Sequence, residues 1–127
     1  MVGHFRALNT YTFPDRYPIP KIHIYLTQIS QAVYISTFHE LKGFHQNGVT
    51  ARERKYLRII FHWGVYDYLR MSFGIKNAPS HFQRMKNEIF PEDTSEGWLI
   101  IDIDEVTVCS NTWEDHMNRL SRILAKI

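Results

Sequence analysis

The sequence predicts an α+β domain, an antiparallel sheet with helices packed on one face. Three observations carry this reading. Trp98-Leu99-Ile100-Ile101 and Val106-Thr107-Val108-Cys109 are apolar, β-branched runs on either side of a short acidic knot, so they read as the two strands of a hairpin. Apolar residues recur at helical spacing over 77–90 and again from about 111 onward. The elements also succeed one another as helix, strand, hairpin, helix, hairpin, helix.

Taken in order, Phe13-Pro14-Asp15-Arg16-Tyr17-Pro18-Ile19-Pro20 carries three prolines and must be extended. Ile22, Tyr25, Leu26 and Ile29 fall at i, i+3, i+4 and i+7, which makes a short helix. Residues 32–38 are β-branched and aromatic, a strand that runs into His39-Glu40 and then Gly43-Phe44-His45-Gln46. Residues 56–61 and 65–71 read as a hairpin turning near Gly64, after which Phe73-Gly74 breaks the strand pattern. A helix over 77–90 sets Ala78, Phe82, Met85 and Ile89 on one face, with Asn77 as cap and Pro79 in the first turn. The last helix, from Asn111 or Thr112, is expected to bury Trp113, Met117, Leu120, Leu124 and Ile127. Its Glu114 and Asp115 suit the positive end of the helix dipole.

At 127 residues the chain supports one modest domain with a core. A hydrophobic share of 44% and an aromatic share of 14% exclude a disordered chain. The net charge of +2, with a sequence pI near 8.7, permits a nucleic-acid partner without demanding one. The single cysteine, Cys109, excludes an intramolecular disulfide. No apolar run is long enough to span a bilayer, and residues 1–9 lack the apolar core of a signal peptide. A cytoplasmic or nuclear location is expected.

The acidic knot is the first place to look for chemistry. Carboxylates crowded at a strand turn repel one another, and a bound divalent cation removes that cost. On a strand, Asp102 and Asp104 share a face with Trp98 and Ile100, and Glu105 sits at the turn. An acidic turn is also a common solvated loop. Arg52, Arg54, Lys55 and Arg58, interleaved with Tyr56, form a basic stretch suited to phosphates or, equally, to a solvated strand edge. His39, taken alone, reads as an exposed or hydrogen-bonded histidine. Gly43-Phe44 reads as a turn and a core aromatic.

Several segments occur together in one order: Phe5-Arg6-Ala7-Leu8-Asn9, Pro14-Asp15-Arg16-Tyr17-Pro18-Ile19-Pro20, Lys42-Gly43-Phe44-His45-Gln46, Tyr66-Asp67-Tyr68-Leu69-Arg70-Met71, Phe73-Gly74-Ile75-Lys76-Asn77-Ala78-Pro79 and Phe82-Gln83-Arg84. The acidic hairpin and Thr112-Trp113-Glu114-Asp115-His116 close the series. Together they resemble the reverse transcriptase domain of gypsy-like LTR retrotransposon polyproteins, over nearly the whole chain.

The resemblance implies a right-hand polymerase palm, built on a ferredoxin-like antiparallel sheet, plus partial fingers. Residues 1–127 are expected to be one partial domain without thumb or ribonuclease H. The implied activity is RNA-directed DNA synthesis. Three carboxylates hold two Mg²⁺ ions, one lowering the pKa of the primer 3′-OH and one neutralising the triphosphate. The implied partners are an RNA/DNA template–primer, dNTPs and the remaining polyprotein domains.

Residue by residue, Asp104 matches the first aspartate of the family's tyrosine-x-Asp-Asp motif. Glu105 stands where the second belongs, Asp102 where the tyrosine belongs, and His39 where the palm's first catalytic aspartate belongs. The resemblance thus assigns catalysis to Asp104, Glu105 and His39 and metal binding to Asp104 and Glu105. Phe44 matches an aromatic gate that filters the ribose 2′-OH. Phe73 and Gly74 match a segment against the incoming nucleotide, and Arg52, Arg54, Lys55 and Arg58 remain candidates for nucleic-acid contact. His4 and Ser72 replace a usual acid and a usual proline.

The departures imply an impaired or inactive centre. Imidazole suits transition metals better than Mg²⁺, and His39 removes a negative charge. Glu40 is adjacent, but on a strand it faces the other way. Glu105 displaces its carboxylate by roughly 1 Å, a scale that costs about 100-fold in rate. A non-catalytic nucleic-acid-binding remnant, a pseudogene product and a repurposed transition-metal site are the alternative readings.

Overall fold

The computed structural model describes residues 3–19 and 21–126. Pro20 of the extended stretch, Ile127 of the last helix, and Met1 and Val2 of the N-terminal reading lie outside the described residues. Strands β1 (Tyr34–His39), β4 (Leu99–Asp102) and β5 (Glu105–Ser110) form an antiparallel sheet in the order β1-β5-β4. A separate two-stranded sheet pairs β2 (Arg58–Phe61) with β3 (Gly64–Asp67), turning at His62-Trp63.

The strand period of two shows in the alternating burial of β1, while β4 and β5 are buried on both faces except at the acidic corner. Leu99, Ile101, Val106 and Val108 point to one face, where they meet Phe90, Trp98 and Ile123 in the main core, with Phe38 packed against it. Helix α7 (Trp113–Lys126) lies on this face against β5, and α5 (Ala78–Ile89) and α6 (Pro91–Ser95) flank β4. Ile35, Thr37 and His39 on β1 point the other way and are exposed. The predicted antiparallel sheet with helices packed against it is the one observed.

The register of α7 differs from expectation. Trp113, Met117 and Leu124 are exposed, and the buried positions are His116 and Ile123, with Leu120 partly buried. His116 faces the sheet because both ring nitrogens have partners there, Ser36 Oγ at 2.8 Å and Ser110 Oγ at 3.1 Å. Two satisfied hydrogen bonds outweigh the apolar preference that a sequence count registers. On α5, Ile89 is exposed, while Gln83 and Lys86 are buried beside Ala78 and Phe82.

Helix α2 (Ile22–Ser30) forms where its periodicity predicts, yet buries none of its residues fully. The short helices α1 (Arg6–Tyr11), α3 (Gly43–Gln46), α4 (Ala51–Arg54) and α6 escape a periodicity reading because each is under two turns long. The extended stretch after α1 lies along the polar side of α5. Arg84 Nη2 donates to both carboxylate oxygens of Asp15, at 2.9 and 2.7 Å, Ser80 Oγ donates to the Asp15 carbonyl at 3.1 Å, and Asn87 Nδ2 donates to the Tyr17 hydroxyl at 2.8 Å. Asn77 spends its side chain on this segment too, accepting from Asp15 N–H and donating to the Phe13 carbonyl, so it makes no side-chain cap. Among the described residues no helix is long and apolar enough to cross a membrane.

Candidate active site

Three strands end together at one corner of the larger sheet. His39 closes β1 opposite Glu105, and Glu105 in turn lies opposite Asp102 at the end of β4. Directly opposed residues of an antiparallel sheet project to the same face, so His39, Glu105 and Asp102 make a row across the three strands. The β4–β5 connection is a two-residue turn, Ile103-Asp104. This corrects two sequence readings. Glu105 is a paired strand residue, not a turn residue, and Asp104 sits in the turn rather than on a strand face with Asp102. Asp104 Oδ2 lies 3.3 Å from His39 Nε2, and both side chains are solvent-accessible.

The turn is held through its backbone. Gln83 on α5 is fully buried; its Nε2 donates to the Ile101 carbonyl and its Oε1 accepts from Ile103 N–H, each at 2.9 Å. Glu40 N–H donates to the Asp104 carbonyl at 2.8 Å. The Tyr25 hydroxyl, from α2, donates to the Ile101 carbonyl at 2.6 Å. Burial pushes the Tyr25 hydroxyl up to about 12, and the Asp102 charge adds to that. Ile103 adopts the left-handed conformation, with φ 51°, while its side chain packs against the cluster of Phe44, Met71, Ala78 and Phe82.

Below the turn sits a charge pair that the sequence reading did not anticipate. Lys86 is 5% exposed and forms an ion pair with Glu40. Its ammonium also lies 5.2 Å from the centre of the Phe82 ring. Burial lowers the Lys86 ammonium to about 8, and the Asp104 charge opposes that shift, so Lys86 stays protonated at neutral pH. The signal was present. Lys86 follows Phe82 by four residues, which puts it on the predicted apolar face, and strand alternation turns Glu40 away from His39 toward that face.

Phe44 on α3 is buried between Phe82 and Phe73, with ring centroids 5.1 Å from each. Gly43 makes that approach possible. A Cβ there would lie 2.8 Å from Phe82 Cζ and 3.2 Å from Glu40 Oε2. Phe73 stays partly exposed beside Phe44. Gly74, at φ 86°, accepts a hydrogen bond on its carbonyl from Asn9 Nδ2 at 2.7 Å. Thus Phe44 and Phe73 share a cluster with the turn, whereas Gly74 is tied to α1.

The basic residues spread over consecutive short elements rather than one strand edge. Arg52 and Arg54 lie on α4, Lys55 opens the 3₁₀ turn Lys55–Leu57, and Arg58 opens β2. Arg58 forks onto Asp67 through Nε at 2.6 Å and Nη2 at 3.0 Å, and Arg54 Nε donates to the Val49 carbonyl at 3.3 Å. Among the described residues, Arg52 and Lys55 are exposed and form no ion pair. Nor do three His, Cys, Asp or Glu side chains converge closely enough there to hold a metal ion.

Comparison with known proteins finds relatives along the whole chain. The chain is 37% identical over its whole length to the Retrovirus-related Pol polyprotein from transposon opus of Drosophila melanogaster, covering 13% of that protein. It is 33% identical over its whole length to the corresponding polyprotein from transposon 297, and 31% identical over 98% of its length to that from transposon gypsy, both of Drosophila melanogaster. The chain is thus homologous along its whole length to a segment of retrotransposon Pol polyproteins. It spans about one eighth of the length of these relatives, 12% for each of the latter two. No protein-family model matches it. The foamy viral protease-reverse transcriptase in complex with double-stranded DNA superposes with a TM-score of 0.88 at 17% identity, over 99% of this chain and 22% of that one. The same enzyme in complex with an RNA/DNA hybrid gives 0.85 at 16% identity, over 97% of this chain and 16% of that one. This chain therefore has the reverse-transcriptase fold, and its larger sheet takes the place of the palm.

Proposed function

We propose that this reverse-transcriptase-like segment binds a template–primer duplex but carries an impaired nucleotidyl-transfer centre. One observation carries the reading: the palm strand end that should hold a carboxylate holds His39, whose imidazole is engaged with Asp104 at 3.3 Å. An imidazole in contact with the retained acid leaves that acid less available to a hard cation, which prefers oxygen ligands. Asp104 and Glu105 remain the carboxylates nearest the expected chemistry, and Phe44 with Phe73 would face the incoming dNTP. Arg52 and Lys55 are the basic residues best placed to meet phosphates, since Arg58 already spends its fork on Asp67. Nucleic acid is the partner named for the structural relatives, and we extend it to this chain. The expected setting is cytoplasmic or nuclear.

Primer extension tests the catalytic half. The chain, with Mg²⁺, dNTPs and a primed RNA template, is expected to extend no primer beyond a heat-killed control. Clear extension overturns the proposal. Binding of the same duplex at two salt concentrations tests the other half, because phosphate contacts release counterions and make affinity fall with salt. A non-catalytic nucleic-acid-binding remnant is the reading left if binding is seen without extension under any metal.

A further inference from the structure

We propose that β1 is a docking edge for a second copy of this chain, the two β1 strands pairing antiparallel about a two-fold axis at Thr37 and joining two three-stranded sheets into one. The strand order β1-β5-β4 leaves two edges. The β4 edge is closed by side chains: the Ile101 carbonyl accepts from the Tyr25 hydroxyl and from Gln83 Nε2. The β1 edge is open. His39 lies opposite Glu105, and Glu40 N–H donates to the Asp104 carbonyl, so the even-numbered residues of β1 carry the hydrogen bonds to β5. The N–H and C=O groups of Ile35, Thr37 and His39 therefore point away from β5. Among the described residues these groups have no hydrogen-bond partner.

Nothing on β1 guards that edge. Tyr34–His39 contains no Lys, Asp, Glu or Pro, the residues with which proteins blunt exposed edges, and its β-branched Ile35 and Thr37 favour strand pairing. The occupant follows from where the exposed apolar side chains fall. Val33 is 70%, Ile35 47% and Leu41 82% exposed, and Val33 and Leu41 lie at equal distances in sequence on either side of Thr37. A two-fold axis at Thr37 sets Val33 of each copy against Leu41 of the other, and Ile35 against His39. Directly opposed residues project to the same face, so each exposed apolar side chain is covered by its counterpart and no like charges meet. An axis at Ile35 leaves Leu41 uncovered, and an axis at His39 leaves Val33 uncovered. Because this pairing consumes both β1 edges while both β4 edges stay capped, assembly closes at two copies. One short strand a side makes a small interface, which belongs with weak, reversible association.

Sedimentation velocity of the chain, with no nucleic acid present, tests the proposal independently of template–primer binding. From micromolar to submillimolar concentration the weight-average mass is expected to rise from 15.1 kDa toward twice that value and no further. A mass that stays at one chain, or climbs past two, overturns it. Thr37→Pro removes an outward donor and leaves the β5 ladder intact, because Thr37 N–H takes no part in that ladder. It is expected to weaken association at least about tenfold, on the scale of the two hydrogen bonds lost across the axis. Unchanged association overturns the proposal. Surface variants decide the register even if Thr37→Pro fails to fold. Val33→Glu and Leu41→Lys are each expected to weaken association, and Val33→Glu/Leu41→Lys to regain it, since opposite charges then meet across the axis. Single variants that associate like the natural chain, or a double variant that associates no better than either single, overturn it.

Discussion

The two sheets of this molecule have the same kind of backbone pairing and opposite support. In the palm sheet, Val106 and Val108 are fully buried and Ile101 nearly so, with helices laid over them. In the β2–β3 hairpin, Ile60 is 79% and Val65 57% exposed, and the pairing leans on the cross-strand Arg58–Asp67 fork and Phe61–Tyr66 contact, with Phe61 also stacked on Trp63 of the turn at a centroid distance of 5.0 Å. A two-stranded ribbon is marginal in water without a packed face. Hydrogen-bonded strands thus say little about where stability resides; burial does. The palm holds the free energy, and the hairpin presents surface.

Substitutions can break that contrast. Phe90→Ala, in the palm core, is expected to cost about 3–5 kcal/mol, whereas Ile60→Ala on the hairpin should stay within about 0.5 kcal/mol, both read from urea unfolding. Comparable losses would show that the two sheets are supported alike. Ion pairs sharpen the same point. Glu40→Ala strands a buried ammonium and is expected to cost about 3 kcal/mol. Arg58→Ala removes an exposed pair, and its unfolding midpoint should match that of the natural chain.

A pH series isolates Lys86. Its folded value of about 8 lies below its ordinary 10.5, so the unfolded chain binds more protons between those limits and stability rises with pH across that window. Relative to Lys86→Met, the natural chain should gain about 2 kcal/mol between pH 8 and 10. A flat difference would mean that the ammonium is not under desolvation strain. The smallest effect belongs to the hairpin side. Arg52→Ala and Lys55→Ala should each reduce the salt slope of duplex binding by about one, with Arg58→Ala changing it least.

Much of the palm was legible in the sequence because its strands and longer helices obey periods of 2 and 3.6 over enough residues to count. The strand 32–38, the hairpin turn near residue 64, the helix over 77–90 and the acidic hairpin all appear close to where the pattern put them. The register of α7 was not legible, because His116 is drawn inward by Ser36 and Ser110, and those partners are remote in sequence. The candidate site was half legible. The resemblance located Asp104, Glu105 and His39 at one corner, and the structure brings them together there. Lys86 was missed because a lysine among apolar positions counts against burial until its partner, Glu40, is known to face it. Asn77 and Arg84 gave no hint that they hold an extended strap, because Asp15 lies more than sixty residues away.

The Gln83 clamp has a consequence for how the turn tolerates substitution. The hydrogen bonds described for the turn run through main-chain atoms and reach Gln83, Tyr25 and Glu40 N–H, while none of them uses the carboxylates of Asp102 or Asp104 or Glu105. The main-chain clamp of the turn therefore does not depend on the acidic side chains. Substitutions at these positions leave the main-chain clamp in place, so the turn keeps its shape whichever side chains it carries.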